Sequence, residues 1–201
     1  LSILAPLGLD IADAPATMGY SEQDWRASRA LLPAGFQDNY IVIQPTSRWF
    51  FKCWREGRMS ALINALSEAG YPVVLTSGPD AREKQMIDTI MAGCPNARLH
   101  SLAGLLTLRQ LASVIDHARL FIGVDSVPMH MAAALQTPCV ALFGPSKLTF
   151  WSPWQVNGDV IWAGDFGPLP DPDAIDTNTK ERYLDAIPVD AVVSAAKRYL
   201  S

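Results

Sequence analysis

From residue 40 onward the chain alternates short apolar runs with longer segments whose apolar residues recur every three or four positions. Uninterrupted runs of Val, Ile, Leu and Phe are typical of strands that are buried on both faces, and the spacing of three and four is typical of amphipathic helices. Strands joined by helical crossovers lie parallel to one another. The alternation therefore predicts an α/β fold over residues 40–201, with a Rossmann-like parallel sheet and helices on both faces.

The pattern predicts five strands, which span residues 41–43, 73–76, 98–101, 120–124 and 138–143. Between and after them it predicts helices over residues 59–69, from 77–80 to about 91, after the cap at Thr107, from Pro128, and from Pro188 onward. Residues 164–179 are rich in Asp, Pro and Gly, which predicts a loop.

The first 39 residues do not follow this pattern. They are rich in Pro and Ala, and we interpret them as a connector with the remnant of a preceding domain. Thr17–Tyr20 is predicted as a short strand. Ser21, with Asp24 three residues later, forms a capping-box pattern that predicts a helix over residues 22–32.

Composition excludes several classes of function. The chain has 201 residues, of which 49% are hydrophobic and 18% are charged, so it can build one sizeable core. Its net charge of −4 offers no positive field to nucleic acid. No apolar run approaches the roughly 20 residues of a membrane-spanning helix. The three cysteines form no CxxC pair and are odd in number, which favours a reducing compartment.

The loop after the fourth strand is the strongest candidate site, because parallel sheets bind ligands beyond the carboxyl ends of their strands. Asp125 could orient a hydroxyl group, and Ser126 could cap the next helix and donate to a phosphate. The free backbone amides of Val127, Met129 and His130 would attract the same anion. The sequence equally admits a plain strand-to-helix turn, in which Asp125 and Ser126 are only caps and His130 packs against the sheet.

The loop after the first strand combines hydroxyls, cations and aromatic residues. The hydroxyls of Thr46 and Ser47, with the cations of Arg48 and Lys52, suit a diphosphate. A solvated basic loop with the aromatic side chains of residues 49–51 packed beneath it would have the same composition. Both interpretations are open at this point.

Two further loops carry weaker signals. After the second strand, Gly78 would allow close backbone approach, and Asp80 or Glu83 could hold ribose hydroxyls or simply stabilise a helix N-terminus. After the fifth strand, residues 143–147 place a hydroxyl and a cation beside a glycine turn. An aromatic cluster such as the one that follows, over residues 150–154, more often packs in a core or lid than stacks on a base.

Neither GxGxxG nor GxSxG is present at these turns, which weakens a dinucleotide or hydrolase interpretation.

At these positions the chain resembles a known enzyme family. Residues 125–130, 132–135, 137–138 and 141–145 resemble the D-S/T-G-x-x-H, AAL, TP and ALFGP blocks of the lipopolysaccharide heptosyltransferases, glycosyltransferase family 9. Residues 46–54 resemble that family's donor-phosphate loop, and residues 77–80 resemble its ribose-side loop. The spacing agrees over residues 40–155, and the details are most similar to the heptosyltransferase III subfamily.

This resemblance implies the C-terminal half of a GT-B glycosyltransferase, with residues 40–201 as the domain that binds the nucleotide sugar. The implied reaction transfers heptose from ADP-heptose to the inner core of lipopolysaccharide with inversion. It uses no metal ion and no cofactor beyond the donor substrate.

The resemblance also implies roles by position. The residues that would hold the donor diphosphate are Thr46 or Ser47, Lys52, Ser126, Val127 and His130. Asp125 would order the loop and the sugar, and Asp80 or Glu83, beside Gly78, would hold the adenosine ribose. Lys52 would neutralise the departing ADP in place of a metal ion, so Lys52 and Asp125 are the expected catalytic contributors.

The chain departs from the family pattern in three respects. Val127 stands where the family has a small residue, and one extra residue lies between Arg48 and Lys52. We expect the family's acceptor domain, with its proposed general base, to lie outside this chain. We therefore expect this chain to bind the donor without efficient turnover.

The expected partners are the nucleotide-sugar donor and, through the N-terminal domain, the lipopolysaccharide core. The expected location is the cytoplasm, at the inner face of the inner membrane of a Gram-negative bacterium, with peripheral membrane contact left open and no nucleic acid involved. Two other classes stay open. One is a UDP-sugar epimerase on the same scaffold, and the other is a non-catalytic nucleotide-binding module.

Overall fold

The computed structural model describes residues 6–8, 14–36 and 39–200. In this part of the chain six parallel strands form one sheet in the order β3-β2-β1-β4-β5-β6. The strands are β1 (Ile41–Gln44), β2 (Val73–Leu75), β3 (Leu99–Ser101), β4 (Leu120–Val124), β5 (Cys139–Phe143) and β6 (Gly158–Trp162). The chain winds in opposite directions from β1 and from β4, so a crevice opens at the carboxyl ends of these two neighbouring strands.

Helices cover both faces of the sheet, as the sequence predicts. In the described ranges they are α1 (Glu22–Arg29), α2 (Glu56–Glu68), α3 (Ala81–Ala92), α4 (Leu108–Asp116), α5 (Val127–Leu135), α6 (Leu148–Trp151) and α7 (Val189–Leu200). No helix there is both long enough and apolar enough to cross a membrane.

Alternate strand residues enter two separate cores. Ile41 and Ile43 pack with α2, α3 and α7 on one face, whereas Val42 packs with α4 and α5 on the other. All three side chains are fully buried. This double burial explains why the central strands are continuous apolar runs rather than alternating ones.

The segment before β1 packs on the second of these cores. Trp25 of α1 stacks on His117 with ring centroids 3.6 Å apart, and Leu32 and Phe36 are buried against the same face. The capping box of Ser21 and Asp24 is confirmed. The boundary between residues 39 and 40 stays a prediction, and residues 1–5, 9–13, 37 and 38 of the predicted connector lie outside the described part.

Two predictions for this segment are wrong. Thr17–Tyr20 forms no strand, because it lies over α4 rather than beside the sheet, and the Tyr20 hydroxyl donates to Asp116 at 2.5 Å. The helix that begins at Glu22 ends at Arg29 rather than at residue 32.

Strand β6 is absent from the sequence prediction. It lies at the edge of the sheet beside β5, and its side chains are only partly buried or exposed. It therefore lacks the buried apolar run by which β1, β2, β4 and β5 are recognised. The predicted loop over residues 164–179 is confirmed, since it holds only brief 3₁₀ turns.

Gly158, the first residue of β6, allows β6 to pair with β5. A Cβ atom at Gly158 would overlap the backbone carbonyl oxygen of Cys139, whereas one at Gly57 in α2 would meet no atom within 4 Å. We expect Gly158→Ala to lower the free energy of unfolding by about 1–3 kcal/mol, because the strand must shift. Gly57→Ala, the matched control, should raise it by at most about 1 kcal/mol. Urea titrations followed by circular dichroism measure both values, and equal stabilities for the two variants would contradict this account.

Candidate functional site

An open cavity of about 600 Å³ lies at the carboxyl ends of β1, β2 and β4. Loops after these strands provide its polar side, and Leu106, Leu108 and Leu111 provide an apolar wall. Nine of the ten predicted site residues line it, namely Thr46, Ser47, Lys52, Gly78, Glu83, Asp125, Ser126, Val127 and His130. The three loops that the sequence predicts as candidate sites therefore meet in one place.

Asp80 is the predicted residue that does not line the cavity. Its carboxylate is the N-cap of α3 and accepts the backbone N–H groups of Arg82 and Glu83 at 2.9 and 3.4 Å. It is exposed to solvent. Of the two acids predicted for a ribose, only Glu83 faces the cavity.

Asp125 joins three loops through one carboxylate oxygen. Lys52 Nζ and Ser146 Oγ both donate to Asp125 Oδ2 at 2.6 Å. The Lys52 and Asp125 side chains are 15% and 6% exposed. Nζ also lies 5.1 Å from the centre of the Trp49 ring. An ammonium has three hydrogen-bond donors and Asp125 uses one, so two remain for water or a ligand.

Glu83 is held on the opposite side by the loops after β1 and β2. Thr46 Oγ1 donates to Glu83 Oε2 at 2.6 Å, and the backbone N–H of Gly78 donates to the same oxygen at 3.0 Å. The Thr46 hydroxyl hydrogen is therefore used within the protein. Ser47 is nearly buried, and its backbone N–H donates to Cys53 Sγ at 3.2 Å.

The turn from β4 into α5 differs from the prediction in two details. Ser126 occupies the N-cap position, but its side chain makes no capping hydrogen bond, and Oγ donates to the Val124 carbonyl at 3.1 Å. The amide of Met129 is not free, since it donates to the Ser126 carbonyl at 3.1 Å. Pro128 at the second helical position has no N–H to offer the Ser126 hydroxyl, and the next amide, that of Met129, is used by the Ser126 carbonyl.

His130 projects from the first turn of α5 into the cavity. Its ring centre lies 6.4 Å from that of Trp151. Partial burial lowers the pKa of His130, and the Lys52 cation lowers it further against the opposing effect of Asp125. The lowered pKa favours the neutral ring at pH 7, which can both donate and accept a hydrogen bond.

Sequence reasoning missed several residues of the site. Gln44 lines the cavity from the end of β1, and Trp151 and the three leucines line its apolar side. Ser146 supports Asp125, although its neighbour Lys147 turns away to pair with Asp173 at 2.5 Å. The hydroxyl and cation of residues 146–147 in the sequence indicate that Ser146 could belong to the site, whereas the leucines look like ordinary core residues.

In the described part of the chain no three His, Cys, Asp or Glu side chains are grouped to hold a metal ion.

A doubly wound parallel sheet, with a polar cavity at the point where its winding reverses, defines a Rossmann-like ligand-binding domain of the α/β class. Comparison with known proteins places it more narrowly. Residues 1–181 match the model of glycosyltransferase family 9 (heptosyltransferase). The chain belongs to this family.

Individual relatives agree with this assignment. The chain is 46% identical over 201 residues to lipopolysaccharide heptosyltransferase 3 of Escherichia coli, and it spans 58% of that protein's length. The crystal structure of a family 9 glycosyl transferase from Veillonella parvula superimposes with a TM-score of 0.84 at 22% identity, over 99% of this chain and 58% of the other. An E. coli heptosyltransferase with ADP-2-deoxy-2-fluoro heptose superimposes with a TM-score of 0.64 at 21% identity, over 97% and 52%. The two structures confirm the fold.

The electrostatic coupling within the site can be tested by titrating His130. Lys52→Met should raise the pKa of His130 because it removes a nearby cation, and Asp125→Asn should lower it because it removes a nearby anion. Lys180→Met, which removes an exposed lysine outside the cavity, is the control and should leave this pKa unchanged. Proton NMR of the imidazole C2–H resonance measures each value. Shifts of the same sign in both site variants would contradict the arrangement.

Proposed function

We propose that this chain is the donor-binding part of a transferase that moves heptose from ADP-heptose to the inner core of lipopolysaccharide. Membership of the heptosyltransferase family supports the reaction class. The observation that carries the donor-binding role is the Lys52 ammonium, held by Asp125 at one side of a cavity whose other side presents Glu83.

Each part of the cavity suits one part of a nucleotide diphosphate sugar. Lys52 and the N-terminus of α5 offer positive charge to the diphosphate. Glu83 offers a carboxylate to ribose hydroxyls, and the wall of Leu106, Leu108 and Leu111 offers apolar surface to the base. Asp125 carries a negative charge, so it would order neutral sugar hydroxyls rather than phosphate.

In the proposed reaction an acceptor hydroxyl oxygen attacks the anomeric carbon of the heptose. The bond from that carbon to the β-phosphate oxygen breaks on the opposite side, and ADP leaves with the electron pair. Lys52 would stabilise the charge that develops on the phosphate, which is the task a divalent cation performs elsewhere. The proton of the attacking hydroxyl must pass to a base, for which the cavity offers no assigned residue.

The chain spans 58% of the length of the E. coli relative, so acceptor binding and turnover are proposed for the whole protein. We assign binding of the lipopolysaccharide core and the general base to the part that this chain does not contain. Location at the inner face of the inner membrane belongs to the same proposal for the whole protein.

Calorimetric titration with ADP-heptose tests donor binding. We expect His130→Ala to weaken binding by about tenfold, because a neutral imidazole that contacts phosphate contributes one hydrogen bond of about 1–1.5 kcal/mol. His100→Ala, which removes a histidine of β3 outside the cavity, should leave the affinity unchanged. Undiminished binding by His130→Ala would overturn the site assignment. Tighter binding of a UDP-sugar would favour an epimerase-like domain, and equal affinity for ADP and ADP-heptose would favour a nucleotide-binding module.

The replacement of a metal ion by Lys52 is tested separately. Lys52→Met should weaken ADP-heptose binding at least about tenfold, because charge-assisted hydrogen bonds contribute about 1.5–3 kcal/mol. Adding EDTA to the unmodified chain should leave the affinity within about twofold. If EDTA abolishes binding, the diphosphate depends on a cation and the proposed role of Lys52 is wrong.

A further inference from the structure

Four polar side chains form a continuous hydrogen-bonded line beneath the cavity. Thr76 Oγ1 donates to Gln44 Oε1 at 2.7 Å, and Gln44 Nε2 donates to Thr46 Oγ1 at 2.8 Å. Thr46 Oγ1 then donates to Glu83 Oε2 at 2.6 Å. The line begins at the end of β2, crosses the end of β1 and finishes on α3.

The direction of these hydrogen bonds is fixed by the surrounding groups. Gln44 Nε2 also lies 3.3 Å from the Thr46 carbonyl oxygen, which can only accept. The amide nitrogen must therefore face Thr46, and the amide oxygen must face Thr76. As a result, all three hydrogen bonds of the line are donated in the direction of Glu83.

Burial makes this direction costly to change. Gln44, Thr46 and Thr76 are at most 3% exposed, so water cannot easily replace a lost partner. A buried polar group that loses its hydrogen bond destabilises the conformation in which it is left unpaired. The line thus holds the Thr46 hydroxyl in one orientation.

The two oxygens of Glu83 consequently differ. Oε2 accepts from both Thr46 and the Gly78 backbone. Oε1 has no hydrogen-bond partner among the described residues, and the side chain lines the cavity. A carboxylate anchored through one oxygen offers the other in a fixed position.

We infer that Gln44 is a positioning residue, which acts through Thr46 to hold Glu83 so that Oε1 meets the ribose hydroxyls of the nucleotide. This inference rests on the proposed function, because it takes the ligand to be a ribonucleotide diphosphate. Gln44 makes the site selective for a ribose that carries its 2′ and 3′ hydroxyls. It does not contribute to diphosphate binding, which falls to Lys52 and α5.

The test compares the affinities of ADP and 2′,3′-dideoxy-ADP by calorimetry on the full 201-residue chain. The unmodified chain should bind ADP about tenfold more tightly than the dideoxy compound, since hydrogen bonds to a carboxylate contribute at least about 1.5 kcal/mol. Gln44→Met has a similar volume but no hydrogen bonds, and it should reduce this ratio to about twofold or less. Its affinity for 2′,3′-dideoxy-ADP should stay within about twofold of the unmodified chain.

Matched variants separate positioning from a general structural role. Gln23→Met, an exposed glutamine on α1, should keep the full ratio. Thr46→Val should lose the ratio as Gln44→Met does, whereas Thr46→Ser, which keeps the hydroxyl, should retain most of it. If Gln44→Met unfolds, Thr46→Val and Thr46→Ser still decide the question.

Each failure has its own signature. An unchanged ratio in folded Gln44→Met or Thr46→Val overturns the positioning role while the proposed function stands. Equal weakening of both ligands indicates a merely structural role and also overturns it. A ratio near one in the unmodified chain, or no ADP binding at all, overturns the ribonucleotide assignment itself.

Discussion

The site depends on the carboxylate of Asp125, because one oxygen of that group holds the ends of three strands together. Lys52 comes from the turn after β1, Asp125 from the end of β4 and Ser146 from the turn after β5. These segments are distant in sequence, and the parallel sheet alone brings them to one edge. Removing one member of a nearly buried ion pair destabilises the protein by several kcal/mol, because the other charge is left without a partner. The same pair that prepares the ammonium for a ligand therefore also joins the loops around the crevice.

The sequence predicted most of the fold because most of the sheet is buried on both sides. Four of the five predicted strands are apolar runs, and the caps at Ser21 and Thr107 mark helix starts that the structure confirms. The edge strand β6 was missed because exposure on its free side permits Asp159 within it and removes the apolar signal. Thr17–Tyr20 was misassigned because its contacts are with α4, far along the chain, and local pattern carries no information about them.

For the site, the sequence located the loops better than the roles of individual groups. The rule that ligands bind at the carboxyl ends of strands placed nine of ten candidates on one cavity. It could not separate Asp80 from Glu83, since both are acids near the start of α3 and only the direction of each side chain distinguishes them. Gln44 was overlooked because it ends a buried strand, where a polar residue is recognisable as functional only when its partners Thr46 and Thr76 are known.

The thiol of Cys53 can report on opening of the turn after β1. Its thiol is fully buried directly behind the turn and accepts the Ser47 N–H, and burial raises its pKa to about 12. Only a thiolate that contacts solvent reacts with alkylating reagents at a useful rate. The rate at which Cys53 is alkylated therefore measures how often this turn opens. A ligand that bridges Lys52 to α5 would lower this rate without contacting the sulfur.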